Sequence, residues 1–159
     1  MTFGRDVSRA MENSRPEPTS GKLPHTELTA FAGRYTAAWC SQSAESVAKF
    51  FAPDGSLKIN GGDPSVGRVQ ITAAVQDFMT AFPDLAVRMD QLRVDNGRVK
   101  YHWTLTGTNS GPGGTGKAVR ISGHEEWRIA ADGLIAESRG YFDEAEYQRQ
   151  LKTGISNAH

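Results

Sequence analysis

Apolar residues in this chain change their spacing at Pro83, and that change limits the fold more than any other feature. Before it they recur every three or four residues, as Leu28, Phe31, Tyr35 and Trp39 and again as Ile71, Val75, Phe78 and Phe82. That is the stripe of a helix that buries one face. After it they alternate, through Leu85 to Val94, Arg98 to Thr108, Lys117 to Ala130 and Leu134 to Phe142, which is the period of strands. The pattern predicts a helix from Thr26, a short one holding Val47, Phe50 and Phe51 that stops at Pro53, and a third closed by Pro83. The Pro53-Asp54-Gly55 turn then leads into a first strand, Ser56 to Asn60, ahead of the four long strands. Asp95-Asn96-Gly97 and Asp132-Gly133 suit tight hairpins, because Asn and Gly tolerate positive φ, so the sheet is expected to be an antiparallel meander. Long strands twist and curl, and helices laid on the concave side leave a pocket where side chains do not fill the middle. The predicted fold class is therefore α+β, a curved antiparallel sheet wrapped on N-terminal helices around an internal pocket. Asp143 opens a final helix, with Glu146 three residues on as the second half of a capping box.

With 159 residues the chain can bury a core without disulfides or metal and fits one domain. Residues 1–24 hold few apolar side chains to offset the entropy of ordering and read as a flexible arm; residues 25–152 form the domain, and 153–159 a tail. Lys plus Arg and Asp plus Glu both number 18, so no basic excess exists to neutralise a phosphate backbone and nucleic acid is not an expected partner. No apolar run approaches the roughly 20 residues that span a bilayer, nor does the N-terminus resemble a secretory signal; the expectation is a cytoplasmic protein with no membrane partner. Cys40 is the single cysteine and reads as a small helix residue.

Several motifs carry chemistry on paper. Gly111-Pro112-Gly113-Gly114-Thr115-Gly116 satisfies G-x-G-x-x-G, but an alternating strand follows rather than the helix a pyrophosphate site needs, so it reads as a hairpin loop. His102, His124, Glu125 and Glu126 resemble metal ligands without metal-site spacing, and neighbours on a strand point to opposite faces; no metal is expected. The informative residue is Glu125. It shares a strand face with Val119, Ile121, Gly123, Trp127 and Ile129, all apolar or small. Either that face is partly solvated, or Glu125 pairs with an arginine such as Arg139, or Glu125 lines the pocket and desolvation raises its pKa toward that of a general acid. Tyr35, on the inner stripe of the first helix, is placed to reach the same cavity. Of His102 and Trp103 only one can face inward.

Arg34-Tyr35-Thr36-Ala37-Ala38, Phe51-Ala52-Pro53-Asp54-Gly55, Phe82-Pro83-Asp84-Leu85, Gly107-Thr108-Asn109-Ser110-Gly111, Asp132-Gly133-Leu134-Ile135 and Gln150-Leu151, in that order, resemble the nuclear-transport-factor-two-like superfamily. Within it they resemble the SnoaL-like polyketide cyclases and ketosteroid isomerases. The resemblance spans about Thr26 to Leu151 and implies a cone-shaped, cystatin-like fold that commonly dimerises through its sheet, hence a homodimer. It places Tyr35 at the isomerases' oxyanion-hole tyrosine and Glu125 at their protonated aspartate, which is also the cyclases' acid/base aspartate. In ketosteroid isomerase that carboxyl is kept neutral by its apolar site so that it can donate a hydrogen bond, and the resemblance implies the same for Glu125. The isomerase base falls near Ile59, which moves no proton, and the cyclase pattern favours histidine where this chain has Asn109.

The implied activity is cofactor-independent acid/base chemistry, of isomerase or cyclase type, on a hydrophobic carbonyl compound. Glu125 and Tyr35 would be catalytic, and Trp39, Phe78, His102, Asn109, Trp127 and Phe142 would bind the substrate. The alternative is a non-catalytic small-ligand-binding or dimeric structural module. A hydrolase of the limonene-epoxide type would need an inward Asp-Arg-Asp set, and Asp90, Arg93 and Asp143 lie at no convincing spacing for one.

Overall fold

A computed structural model describes residues 24–155. The expected arm, apart from Pro24, and residues 156–159 of the expected tail lie outside the described residues. Helix α1 (His25–Cys40) buries Leu28, Phe31, Ala32, Tyr35, Ala38 and Trp39 on the predicted stripe. Helix α2 (Ala44–Ala48) is capped by Ser43, whose side chain accepts from the Ser46 amide. Helix α3 (Gly67–Ala81) points Ile71, Val75 and Met79 into the core. Six strands follow or interleave: β1 (Phe51–Ile59), β2 (Ser65–Val66), β3 (Ala86–Asp95), β4 (Arg98–Thr108), β5 (Ala118–Ile129) and β6 (Ile135–Phe142), before a closing helix α4 (Glu144–Thr153). They make one sheet in the order β2-β1-β6-β5-β4-β3; α1 packs against β3 and α3 against β1, and α2 packs on those two helices. No helix among the described residues is long and apolar enough to cross a membrane.

The meander from β3 to β6 is antiparallel throughout, as alternation and turn chemistry predict. Asn96 and Gly97, at φ 53° and 78°, make the β3–β4 hairpin with both residues left-handed, which matches the twist of the strands it joins. Strand β1 departs from expectation in two ways. It pairs with β6 in parallel, so the curved sheet is mixed. Paired residues such as Phe51 and Ile135 lie more than eighty positions apart in sequence, and strand periodicity carries no information on which edge an isolated strand joins or in which direction. Moreover Phe51 is already strand, and Pro53-Asp54-Gly55, read as a turn, lies inside it. There the register jumps from Phe51↔Ile135 to Ser56↔Glu137, so the turn-forming residues form a bulge. Proline fits where no ladder amide is needed. Gly55 is required because a Cβ would come within 2.7 Å of the Ile135 carbonyl oxygen.

The glycine-rich segment is a loop between β4 and β5, with Gly113 and Gly116 at φ 75° and 77°. Asn109 organises it: its side-chain oxygen accepts from the Thr115 amide at 2.8 Å, its backbone carbonyl from the Gly116 amide at 2.7 Å, and its side-chain nitrogen donates to the Ala81 carbonyl at the end of α3. At α4, Asp143 caps as expected, accepting from the Glu146 amide at 3.0 Å. The Glu146 carboxylate does not return the bond. It accepts instead from Arg149 and Gln150, and Arg149 beside it holds its pKa down to about 2.

Candidate functional site

Between the concave face of the sheet and helices α1 and α3 lies a cavity of about 60 Å³. Helix α1 contributes Trp39 and α3 contributes Phe78. From the strands come Leu57 and Ile59 on β1, Tyr101, Trp103 and Leu105 on β4, and Glu125 with Ile121 on β5. Gly140 and Phe142 on β6, with Val87 on β3, complete the wall. Phe78, Phe142, Ile59 and Val87 are only half-buried, so they form the rim. Strand parity explains the wall: residues of one parity on β4 and β5 look in, and their neighbours look out. It also settles the two questions left open on sequence. Trp103 faces the cavity, while His102 lies on the outer face, its ring 5.4 Å from His124. Arg139 pairs with Glu137 on that outer face at 3.0 Å and does not meet Glu125.

Glu125 is buried at 7% exposure, with Gly140 opposite it on β6. Three neutral donors hold its carboxylate. Oε1 accepts from Trp127 Nε1 at 2.8 Å, from Ser138 Oγ at 2.8 Å and from the Tyr35 hydroxyl at 2.9 Å. Oε2 receives only the longer leg of the Tyr35 bond, at 3.1 Å. Burial dominates and raises the Glu125 pKa, and the bonds from Trp127, Ser138 and Tyr35 offset part of that rise. Burial and then the neighbouring Glu125 charge push the Tyr35 phenol well above its ordinary value, so it stays a donor. The arrangement is a carboxyl anchored chiefly through one oxygen, with the other held only by the longer Tyr35 contact.

Of the residues singled out on sequence, Glu125, Trp39, Phe78 and Phe142 line the cavity. Four others do not, each for a physical reason. The Tyr35 ring lies behind Glu125, fully buried among Phe50, Tyr101 and Trp127, and spends its hydroxyl proton on the carboxylate. Trp127 shares the inner face but sits deeper, under α1, stacked on Tyr101 at 4.9 Å and edge-on to Phe31. His102 faces outward, and Asn109 belongs to the β4–β5 loop. Sequence reasoning missed Tyr101 and Ser138, and left Trp103 as the alternative to His102 for the inward position. Ser138 was findable, because it shares an inner β6 face with Gly140 and Phe142, and register places it opposite Trp127.

The donor set makes a direct prediction. Removing a bond that favours the charged form should raise the Glu125 pKa further, so Ser138→Ala and Tyr35→Phe should each shift its titration upward. Carboxyl-carbon NMR on labelled protein, assigned with Glu125→Gln, reads this. A downward or unchanged midpoint in both variants would contradict the geometry.

Comparison with known proteins places these features in a wider group. The sequence pattern of the family described as SnoaL-like polyketide cyclase matches residues 29–151. No curated protein matches the sequence significantly. Among solved structures, AclR from Streptomyces galilaeus superposes with a TM-score of 0.69 at 23% identity, covering 80% of this chain and 97% of that one. SalBIII, an epoxide hydrolase/cyclase-like enzyme, superposes with a TM-score of 0.65 at 15% identity, covering 76% and 93%. A protein of ketosteroid isomerase-like fold from Catenulispora acidiphila, solved with trimethylamine, gives 0.63 at 16%, covering 72% and 85%. At these identities the likeness is one of fold.

Proposed function

The chain belongs to the SnoaL-like polyketide cyclase family, and from that membership we propose that it is a small-molecule enzyme doing acid/base chemistry of isomerase or cyclase type on a hydrophobic carbonyl compound. The observation that carries this reading is Glu125, the one carboxyl in an otherwise largely apolar cavity wall, with its pKa raised by burial. A neutral Glu125 gives its proton from Oε2 to the substrate's carbonyl oxygen while an enol carbon of the same substrate uses its C=C electron pair to bond to the carbonyl carbon. The proton released by the enol hydroxyl as it becomes a carbonyl then restores the carboxyl, so the catalyst ends as it began. Ile59 on the rim supplies no second base, which leaves Glu125 both duties. Tyr35, Trp127 and Ser138 are positioning residues: they fix Oε1 and leave the other oxygen to the cavity. Ring-forming work on this fold has a parallel in SalBIII, described in pyran ring formation in polyether salinomycin. A homodimer through the outer sheet face belongs to the same reading, and a sedimentation mass of one chain at micromolar concentration would contradict it.

Glu125→Gln tests the assignment. Glutamine keeps the volume and an acceptor for the three donors but cannot exchange a proton, so turnover of a hydrophobic ketone or aldehyde should fall by about 10²–10⁴ while the fold persists. Turnover at the wild-type level in that variant would reject Glu125 as the acid. One observation favours a second reading, a non-catalytic ligand-binding module. Three protein donors already satisfy Glu125, as they would a structural anchor, and then the same substitution changes affinity or stability with no rate to lose.

A further inference from the structure

Trp103 is a side chain of the cavity wall whose indole N–H no protein group engages. It is 9% exposed, and its indole nitrogen is the only buried side-chain nitrogen or oxygen among the described residues without a hydrogen-bond partner. The contrast with Trp127 is direct, since that indole donates to Glu125 at 2.8 Å. Folded proteins rarely leave a buried donor unpaired, because nothing replaces the water it gave up. Of the other polar groups of the wall, the Tyr101 hydroxyl already shares a bond with Thr36 at 2.5 Å, and the Trp39 indole nitrogen is not among the buried unpartnered atoms.

Register places Trp103 opposite Gly123, two residues from Glu125 on the same inner face, which makes Trp103 and Glu125 diagonal neighbours, roughly 7–8 Å apart at the backbone. Gly123 puts no side chain between them. The indole edge that carries the nitrogen lies there, as Cζ2 would stand 2.8 Å from a Cβ at position 123. Phe142, half-buried and edge-on to Trp103 with ring centroids 6.0 Å apart, is the rim side chain beside the indole, and a ligand would have to displace it to reach the nitrogen. With Glu125 neutral, both groups donate, and the rest of the wall is apolar apart from the Tyr101 hydroxyl and the Trp39 indole N–H, itself a donor. Such a site matches acceptor oxygens on a hydrocarbon frame and penalises hydroxyl or amine donors, which would find no partner.

We propose that Trp103 Nε1 is a substrate-positioning donor and that the cavity takes an apolar dicarbonyl compound, one oxygen bonded to Trp103 and the other to Glu125. This rests on reading the cavity as a small-molecule site, though not on Glu125 being catalytic. Cyclohexane-1,4-dione is the probe, with cyclohexane as the control that lacks acceptors, followed by the indole N–H resonances of ¹⁵N-labelled protein. The Trp103 resonance is assigned in the wild type by its through-space contacts to Phe142, whose ring centroid lies 6.0 Å away, and is checked with Trp103→Phe. Titration with the dione is expected to move that proton downfield in the wild type and in Glu125→Gln alike, while cyclohexane leaves it in place. Trp103→Phe should weaken dione affinity roughly five- to tenfold, the worth of one ordinary hydrogen bond. A Trp103 resonance that does not respond to the dione, equal responses to dione and hydrocarbon, or no dione binding at all would overturn the proposal. Because the wild-type shift is read without the variant, a misfolded Trp103→Phe does not rescue it. If instead Glu125→Gln keeps full turnover while the Trp103 shift remains, the catalytic reading falls and this one stands.

Discussion

Replacing Glu125 with leucine is expected to lower the free energy of unfolding by roughly 3–5 kcal/mol, while glutamine at the same position costs less than about 1 kcal/mol. Leucine strands three buried donors at once, Tyr35 Oη, Trp127 Nε1 and Ser138 Oγ, in a place closed to bulk water. Removing the carboxylate relieves its own desolvation, which is why the total falls short of three full penalties. Glutamine leaves an acceptor where Oε1 was. Urea denaturation at neutral pH separates the two, and leucine tolerated as well as glutamine would show that the three bonds contribute nothing.

The same residue sets a pH dependence of definite sign. Between the ordinary value near 4.5 and its raised folded value, the native state holds a proton on Glu125 that the unfolded chain has released. Stability therefore falls as pH rises through that window, and the contribution is fully present only below the unfolded value. Asp84 works in the opposite sense at lower pH: bonds from the Thr108 amide and hydroxyl lower its pKa below 3.8, so its contribution is lost on acidification. Wild type should thus gain stability over Glu125→Gln on acidification toward pH 4.5. A difference between the two that does not change with pH would mean the Glu125 pKa is the same folded and unfolded.

How far the site was legible follows from what strand parity can and cannot carry. Parity marks a face, so a carboxylate among Val119, Ile121, Trp127 and Ile129 stands out, and Glu125 was identifiable from the sequence alone. Parity does not mark depth along that face. Trp127, two residues further on, lies under α1 beside Phe31 and Tyr35 rather than in the cavity wall. Nor does parity fix its own phase on a strand with mixed polarity, which is why His102 and Trp103 could not be separated until β4 had a register with β5. The β1 bulge was hidden for another reason. Pro53-Asp54-Gly55 carries true turn chemistry, and only the distant partner β6 makes it a kink inside a strand.

Gly123→Ala is expected to cost stability at the upper end of ~1–3 kcal/mol for an overpacked core, a fall in Tm of roughly 6–12 °C for a domain of this size. The position is ordinary strand backbone, so the cause is space. A Cβ there collides with the Tyr141 carbonyl oxygen and comes within 2.8 Å of Trp103 Cζ2 and 3.0 Å of Phe142 Cβ. A side chain can rotate away from an intruder, but the carbonyl of a paired strand cannot, so β5 and β6 must separate or Trp103 must leave the wall. Gly140→Ala is the matched control on the neighbouring strand. Its Cβ would meet only the Lys58 oxygen at 3.6 Å and Glu125 Cγ at 3.8 Å, both ordinary contacts, and it should fold with nearly wild-type stability. Equal losses in the two variants would point to a general intolerance of side chains on the inner sheet face. A loss confined to Gly123 ties it to the space that lets the Trp103 indole lie beside Glu125, and the Trp103 N–H resonance should then move in Gly123→Ala and stay in place in Gly140→Ala.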